Sequence, residues 1–198
     1  MNIDGQAWRT IWLEADQRSV GVIDQTLLPH RLITRTLTSC DQAAEAISTM
    51  VVRGAPLIGV TGAYGLMLAL QDDSSDAGLS QAFDQLNASR PTAVNLRWAL
   101  ERVRDLVQPL PEAERAEAAR REAALIADED VAMCEAIGEH GLAQFRTLVE
   151  QRPSARQNEP FQVLTHCNAG WLATVDWGTA LAPIYKAHRA GLNIHVWV

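Results

Sequence analysis

Cys167 stands between a histidine and an asparagine in "VLTHCNAGWLATVDWG", Val163 to Gly178, where an apolar run gives way to small residues. With His166 beside it, the thiol invites a metal pair or a Cys-His nucleophilic dyad. Successive side chains on a strand point to opposite faces, however, so the two cannot converge on one atom unless the turn has already begun. His166 alone reads as a hydrogen-bonded structural histidine. Cys167 stays open between two roles. As a free cysteine it fits a small buried core residue. At the carboxyl end of a strand, before Asn168, Ala169 and Gly170, it also faces free backbone N–H groups and an approaching helix N-terminus, a setting that favours a thiolate and holds anions. Cys40 and Cys134 fall within or beside helical patterns and read as structural.

A second chemical signal is "VVRGAP". Arg53 ends one helical pattern, and Gly54, Ala55 and Pro56 lead into the next. A guanidinium together with the unsatisfied N–H groups of a helix start can grip one phosphate; a plain interhelix turn with a solvated arginine explains the same residues. Arg90, just before Pro91, repeats the arrangement of an arginine at a helix start. The acidic run Asp128, Glu129 and Asp130 suggests a metal site at first sight, but consecutive helical carboxylates fan out in different directions, so it reads as surface or structural. Trp171 and Trp177 stand beside the Cys167 turn as bulky residues that could shape a pocket.

These groups need elements to position them. "TIWLEADQRSVGVIDQTLLP" reads as two short strands around a turn, leading into "HRLITRTL". Ser39 opens a helix with Gln42 at capping-box spacing, and Ala43, Ile47, Met50 and Val51 share its apolar face. The next helix starts at Pro56 and carries Gly59, Gly62 and Gly65, each costing about 1 kcal/mol relative to alanine, which implies close packing or close ligand approach. After "QDDSSDAG" comes another helix. A further one starts near Pro91 with Leu96, Leu100, Val103 and Val107 as its buried stripe. From Pro111 to about Gln151 the pattern is again helical, with Gly138 and Gly141 as possible breaks. The polar "EQRPSARQNEP" reads as an interdomain linker. Then "FQVLTHC", a helix around "TALAPIYKAHRA", Gly191 at a C-cap and "NIHVWV" form a βαβ unit with parallel strands, whose ligand sites lie beyond the strands' carboxyl ends. The expected domains are therefore residues 1–154, mostly helical with a small β portion, and 155–198, the start of an α/β domain that is incomplete at Val198.

Composition bounds the function. The 198 residues are 47% hydrophobic and 21% charged, with six tryptophans, ample for a core. A net charge of −7 argues against a general nucleic-acid or anionic-membrane surface while leaving room for a local phosphate pocket. No apolar run approaches membrane-spanning length, and "MNIDGQAWRT" lacks the layout of a signal peptide, so a cytoplasmic location is expected. The three cysteines are widely spaced without a CxxC pair, so reduced thiols are expected.

Four stretches, "RGAPLIGVTGAYG", "SRPTAVNLRWAL", "EDVAMCEAIGEHG" and "LTHCNAGWLATVDWGTA", together resemble the methylthioribose-1-phosphate isomerase family of methionine salvage, in the right order and over nearly the whole chain. The resemblance implies a helical N-terminal domain and a Rossmann-like parallel-sheet domain, of which this chain holds the first βαβ unit, with the active site between them. It implies conversion of 5-methylthioribose 1-phosphate to 5-methylthioribulose 1-phosphate by acid–base catalysis, with no redox cofactor and no metal, in a cytoplasmic homodimer. Carried over by motif, Cys167 is the catalytic cysteine, and Arg53, Gly54, Ala55 and Arg90 bind substrate. The family's catalytic aspartate and its further substrate-binding motifs correspond to sequence beyond Val198, so weak or no turnover is expected of this chain alone. Ribose-1,5-bisphosphate isomerases and the regulatory subunits of a translation-initiation exchange factor share the fold and remain alternatives; the intact "THCNAG" setting favours the enzyme.

Overall fold

A computed structural model describes residues 1–156 and 158–198; Gln157, in the segment expected as a linker, lies outside the described residues. The chain begins with a two-stranded antiparallel ribbon, β1 (Asn2–Ile3) and β2 (Gln6–Ala7). A three-stranded antiparallel sheet follows, β3 (Ile11–Leu13), β4 (Val20–Ile23) and β5 (Thr34–Leu37), with β4 central and fully buried. The strands expected around "ADQRS" are thus β3 and β4.

Ser39 caps α1 (Cys40–Ser48), its side chain accepting from the Gln42 N–H at 3.3 Å, while the Gln42 side chain accepts from the Thr38 N–H at 2.7 Å. The helix ends before Met50, whose φ of +63° turns the chain; Met50 is exposed and does not join the buried face expected for it. The core is built around α2 (Ala55–Asp72), apolar on every side and wrapped by α1, α3 (Asp76–Ser89), α4 (Val94–Val107) and α5 (Glu112–Glu150). Its glycines serve packing: a Cβ on Gly59 would lie 2.8 Å from the Asn95 carbonyl oxygen, and one on Gly62 2.4 Å from Leu96. The residue order of these contacts runs α2 and α4 in the same direction, with α3 returning between them.

Two expectations need correction. Pro91 does not start α4: Arg90 is the C-cap of α3, the Ala93 N–H bonds back to the Arg90 carbonyl at 3.0 Å, and the helix begins only at Val94. Nor do Gly138 and Gly141 divide α5, which runs unbroken for 39 residues. Those glycines admit α6 (Ala182–Arg189) instead: a Cβ on Gly141 would lie 2.3 Å from the Pro183 ring, and one on Gly138 2.9 Å from the Lys186 side chain. Lys186 is buried there between Glu135 (3.3 Å) and Glu139 (2.6 Å), with its ammonium 4.2 Å from the Trp177 ring centre. The first half of α5 therefore packs on α2 and α4, and the second half carries α6.

The βαβ unit is present: β6 (Phe161–Leu164) pairs in parallel with β7 (Ile194–Trp197), and α6 lies between them in sequence. Phe161 and Val163 alternate with exposed Gln162 and Leu164, and Gly191 at φ +78° closes α6.

Candidate functional site

Cys167 lies three residues beyond the end of β6, at φ +74°, and is exposed. Exposure disposes of the buried core role. His166 is exposed as well and makes no hydrogen bond to the described residues, so the structural-histidine reading does not hold. No helix starts directly after the cysteine. A short 3-10 turn, Trp171–Ala173, follows it, and α6 begins only at Ala182. The other two thiols are structural as expected: burial pushes Cys134 up to about 12 and Cys40 up to about 11.

The segment after Cys167 is fastened to the helical part at several points. The Thr10 N–H donates to the Val175 carbonyl at 3.0 Å, and the Thr10 hydroxyl to the Trp171 carbonyl at 3.1 Å. The Gln25 amide donates to the Leu172 carbonyl at 2.7 Å. The Val175 N–H donates to Asp130 at 2.7 Å, and the chain's amino group pairs with Asp176. Trp171 stacks on Tyr185 at 4.2 Å, and Trp177 lies against Lys186 and Arg189, so both tryptophans tie the turn to α6.

Against this segment stands the turn that opens α2. Gly54 is its N-cap at φ +106°, without a side-chain cap, and a Cβ there would lie 2.4 Å from the Cα and the carbonyl oxygen of Ala173. Only glycine permits this approach of two backbones. Arg53 is held by one described hydrogen bond, from its Nε to the Gln25 side-chain oxygen at 3.3 Å. Gln25 is nearly fully buried, so one amide holds both Arg53 and the Leu172 carbonyl. At the start of α2 the Gly54, Ala55 and Leu57 N–H groups lack intrahelical partners, Pro56 having none to offer, and they carry the positive end of the helix dipole. Together with Arg53 they form an anion-favouring corner beside the segment that leads from Cys167.

The structure thus brings Gly54 against Ala173 and links Arg53 through Gln25 to Leu172, with Ala55 next in the chain, more than a hundred positions from the residues they meet. Arg90 lies at the same end of the helical bundle, since α3 returns beside α2 and α4 starts there, although no described contact joins it to Arg53 or Cys167. It stands at a helix end and not at a helix start. The acidic run fans out as expected: Asp128 pairs with Arg9 at 2.7 Å, Glu129 with Arg102, and Asp130 with the Val175 N–H. Burial raises the Asp130 carboxyl above its usual range. Thr10 and Gln25 escaped the sequence reading because each is a polar residue whose partner is main chain far along the sequence, while Asp130, read as surface or structural, is structural through the Val175 N–H. The one available signal was Asp24-Gln25, a polar pair directly after a buried strand.

The sequence pattern of the Initiation factor 2 subunit family matches residues 51–198. The chain belongs to that family. Within reach of this initiation factor 2 subunit family member are curated relatives of narrower name. The methylthioribose-1-phosphate isomerase of Rhodospirillum centenum is 58% identical over 198 residues, all of this chain and 52% of that protein. Its namesake in Methylorubrum populi is 60% identical, again over all of this chain and 53% of that protein. The chain spans about half the length of the curated relatives it matches. Among solved structures, 5-methylthioribose 1-phosphate isomerase from Pyrococcus horikoshii superposes with a TM-score of 0.80 at 34% identity, covering 98% of this chain and 52% of that one. The delta subunit of translation initiation factor eIF-2B from A. fulgidus gives 0.77 at 36%, covering 96% and 54%. The mixed, mostly helical α/β fold with small sheets is shared with the matched half of each.

Proposed function

We propose that this chain, as part of a longer polypeptide, binds the phosphate of 5-methylthioribose 1-phosphate and takes part in its isomerisation to 5-methylthioribulose 1-phosphate in a cytoplasmic homodimer. The observation that carries this reading is the contact between Gly54 and Ala173, which sets an arginine and a helix N-terminus beside the segment that follows an exposed cysteine. The phosphate would sit on Arg53 and the α2 N–H groups, with Arg90 approaching from the end of α3. Cys167 would exchange a proton with the sugar as hydrogen moves from C2 to C1, a change without net oxidation or reduction. The reverse proton transfer needs a second acid–base group. The names of relatives more than 50% identical support the substrate.

Alkylation of Cys167 by iodoacetamide tests the reading without requiring turnover. Methylthioribose 1-phosphate should slow the modification, and Arg53→Ala should abolish that protection while leaving the rate without ligand unchanged. Protection that survives Arg53→Ala unaltered would remove Arg53 from the site. Absence of protection in the parent chain would favour the binding-and-assembly role suggested by the likeness to the eIF-2B subunit.

A further inference from the structure

A cavity of about 360 Å³ opens at Pro56, two residues from Gly54, and runs between α2, α4 and α5. Val60, Val94, Trp98, Ile126 and Met133 give it apolar walls, with the Glu129 and Asp130 carboxylates on its α5 side. Several wall residues are open to solvent: Val94 is 79% exposed, Met133 64% and Trp98 48%. Apolar side chains left this open around a concave site mark a place for a ligand or a partner.

The placement and chemistry of the cavity select the occupant. Gly59 on its wall lies about one helical turn, roughly 6 Å, along α2 from Ala55. A pentose anchored by its C1 phosphate at the α2 N-terminus would carry its C5 substituent over that distance. The walls offer a polarizable thioether an indole and a methionine sulfur, contacts that suit sulfur and methyl groups. The carboxylates act in the opposite sense on an anion. Glu129 shares Arg102 with Glu122, so three charges of this group sum to a net negative one. Asp130 spends one oxygen on the Val175 N–H and pairs with no cation among the described residues. The described lining residues include no lysine, arginine or histidine.

We propose that this cavity receives the methylthio group and that its acidic side rejects a sugar carrying a second phosphate at C5. The proposal rests on the reading of Arg53 and the α2 N-terminus as the C1-phosphate site. It makes the cavity the element that separates the two sugar-phosphate chemistries left open by the fold.

Competition in the Cys167 alkylation assay tests this with three ligands: methylthioribose 1-phosphate, ribose 1-phosphate and ribose 1,5-bisphosphate. Burying a methyl and a sulfur in place of a hydroxyl should make the first bind about tenfold more tightly than the second, at roughly 0.8 kcal/mol per buried methylene-sized group. Trp98→Ala should shrink that ratio to near one while leaving ribose 1-phosphate binding unchanged. Met133→Lys should narrow the ratio too and strengthen the bisphosphate. Met133 is largely exposed and its variant should keep the parent melting temperature, whereas Trp98 is half-buried beneath the Arg102 guanidinium, so retained ribose 1-phosphate binding is the measure that Trp98→Ala is still folded. A ratio unmoved in both variants, with phosphate binding intact, overturns the cavity assignment and leaves the phosphate site standing. A change of oligomeric state in Trp98→Ala with the ratio unmoved would make this face a contact between copies of the chain and would equally overturn it. Failure of all three ligands to protect Cys167 overturns the phosphate reading, and this inference with it.

Discussion

Gly54→Ala is the sharpest single perturbation of the site, because two independent costs act at one atom. The backbone at φ +106° lies where a residue with a Cβ pays about 1–3 kcal/mol. The added methyl would also stand 2.4 Å from the Ala173 Cα and carbonyl oxygen, so the two segments must part by about 1 Å, an overpacking cost of about 1–3 kcal/mol. The sum, about 2–6 kcal/mol, corresponds to a fall of about 1–3 M in the urea midpoint at a slope near 2 kcal/mol per molar. Because the opposing atoms are main chain, trimming the neighbour should not help: Ala173→Gly added to Gly54→Ala should recover almost nothing. Chemical denaturation followed by tryptophan fluorescence measures both. A midpoint within about 0.3 M of the parent, or a clear rescue by Ala173→Gly, would refute the reasoning that these two backbones touch.

In the second half of α5, Gly141→Ala sets a gain of helix propensity near 1 kcal/mol against a Cβ 2.3 Å from Pro183. Overpacking should win, lowering the melting temperature by about 2–6 °C; a rise would show that α6 yields freely. Asp24 predicts a pH dependence. Burial raises its carboxyl, but hydrogen bonds from Thr26 and the Arg35 guanidinium at 2.7 Å outweigh that and hold it below its usual value. Its contribution is therefore present above the unfolded value of about 3.9 and is lost as pH falls through the folded one. Asp24→Asn should destabilise at pH 7, and its urea midpoint should converge on the parent's below pH 4; a gap constant across that range would exclude the carboxylate charge as the cause.

What could be read ahead of the structure was what local chemistry dictates. Ser39 with Gln42, the three-residue glycine spacing of α2 and the turn-bounded runs of the βαβ unit each carry their own signal within a few residues. The misreadings share a cause in tertiary context. Pro91 is compatible with a first helical turn, yet here it belongs to a turn closed by Arg90 and Ala93, and α4 starts after it. Gly138 and Gly141 weaken a helix in isolation, but packing of α6 outweighs that cost. The approach of Gly54 to Ala173 spans more than a hundred positions and has no periodicity to announce it. Position alone does not decide Cys167, because the strand's end at Leu164 and the long irregular segment after it determine its exposure, and neither follows from the residue pattern.

The unbroken α5 has a mechanical consequence. At 1.5 Å per residue its 39 residues form a strut about 58 Å long. One half is embedded among α2 and α4, and the other bears α6 and, through it, the parallel strands. The segment from Trp171 to Asp176 is pinned a second time, near the strut's middle, by Asp130. A beam fixed at two points resists rotation about either, so swinging the βαβ unit away from the bundle requires bending α5 or breaking the bonds that Asp130, Thr10 and Gln25 make to that segment.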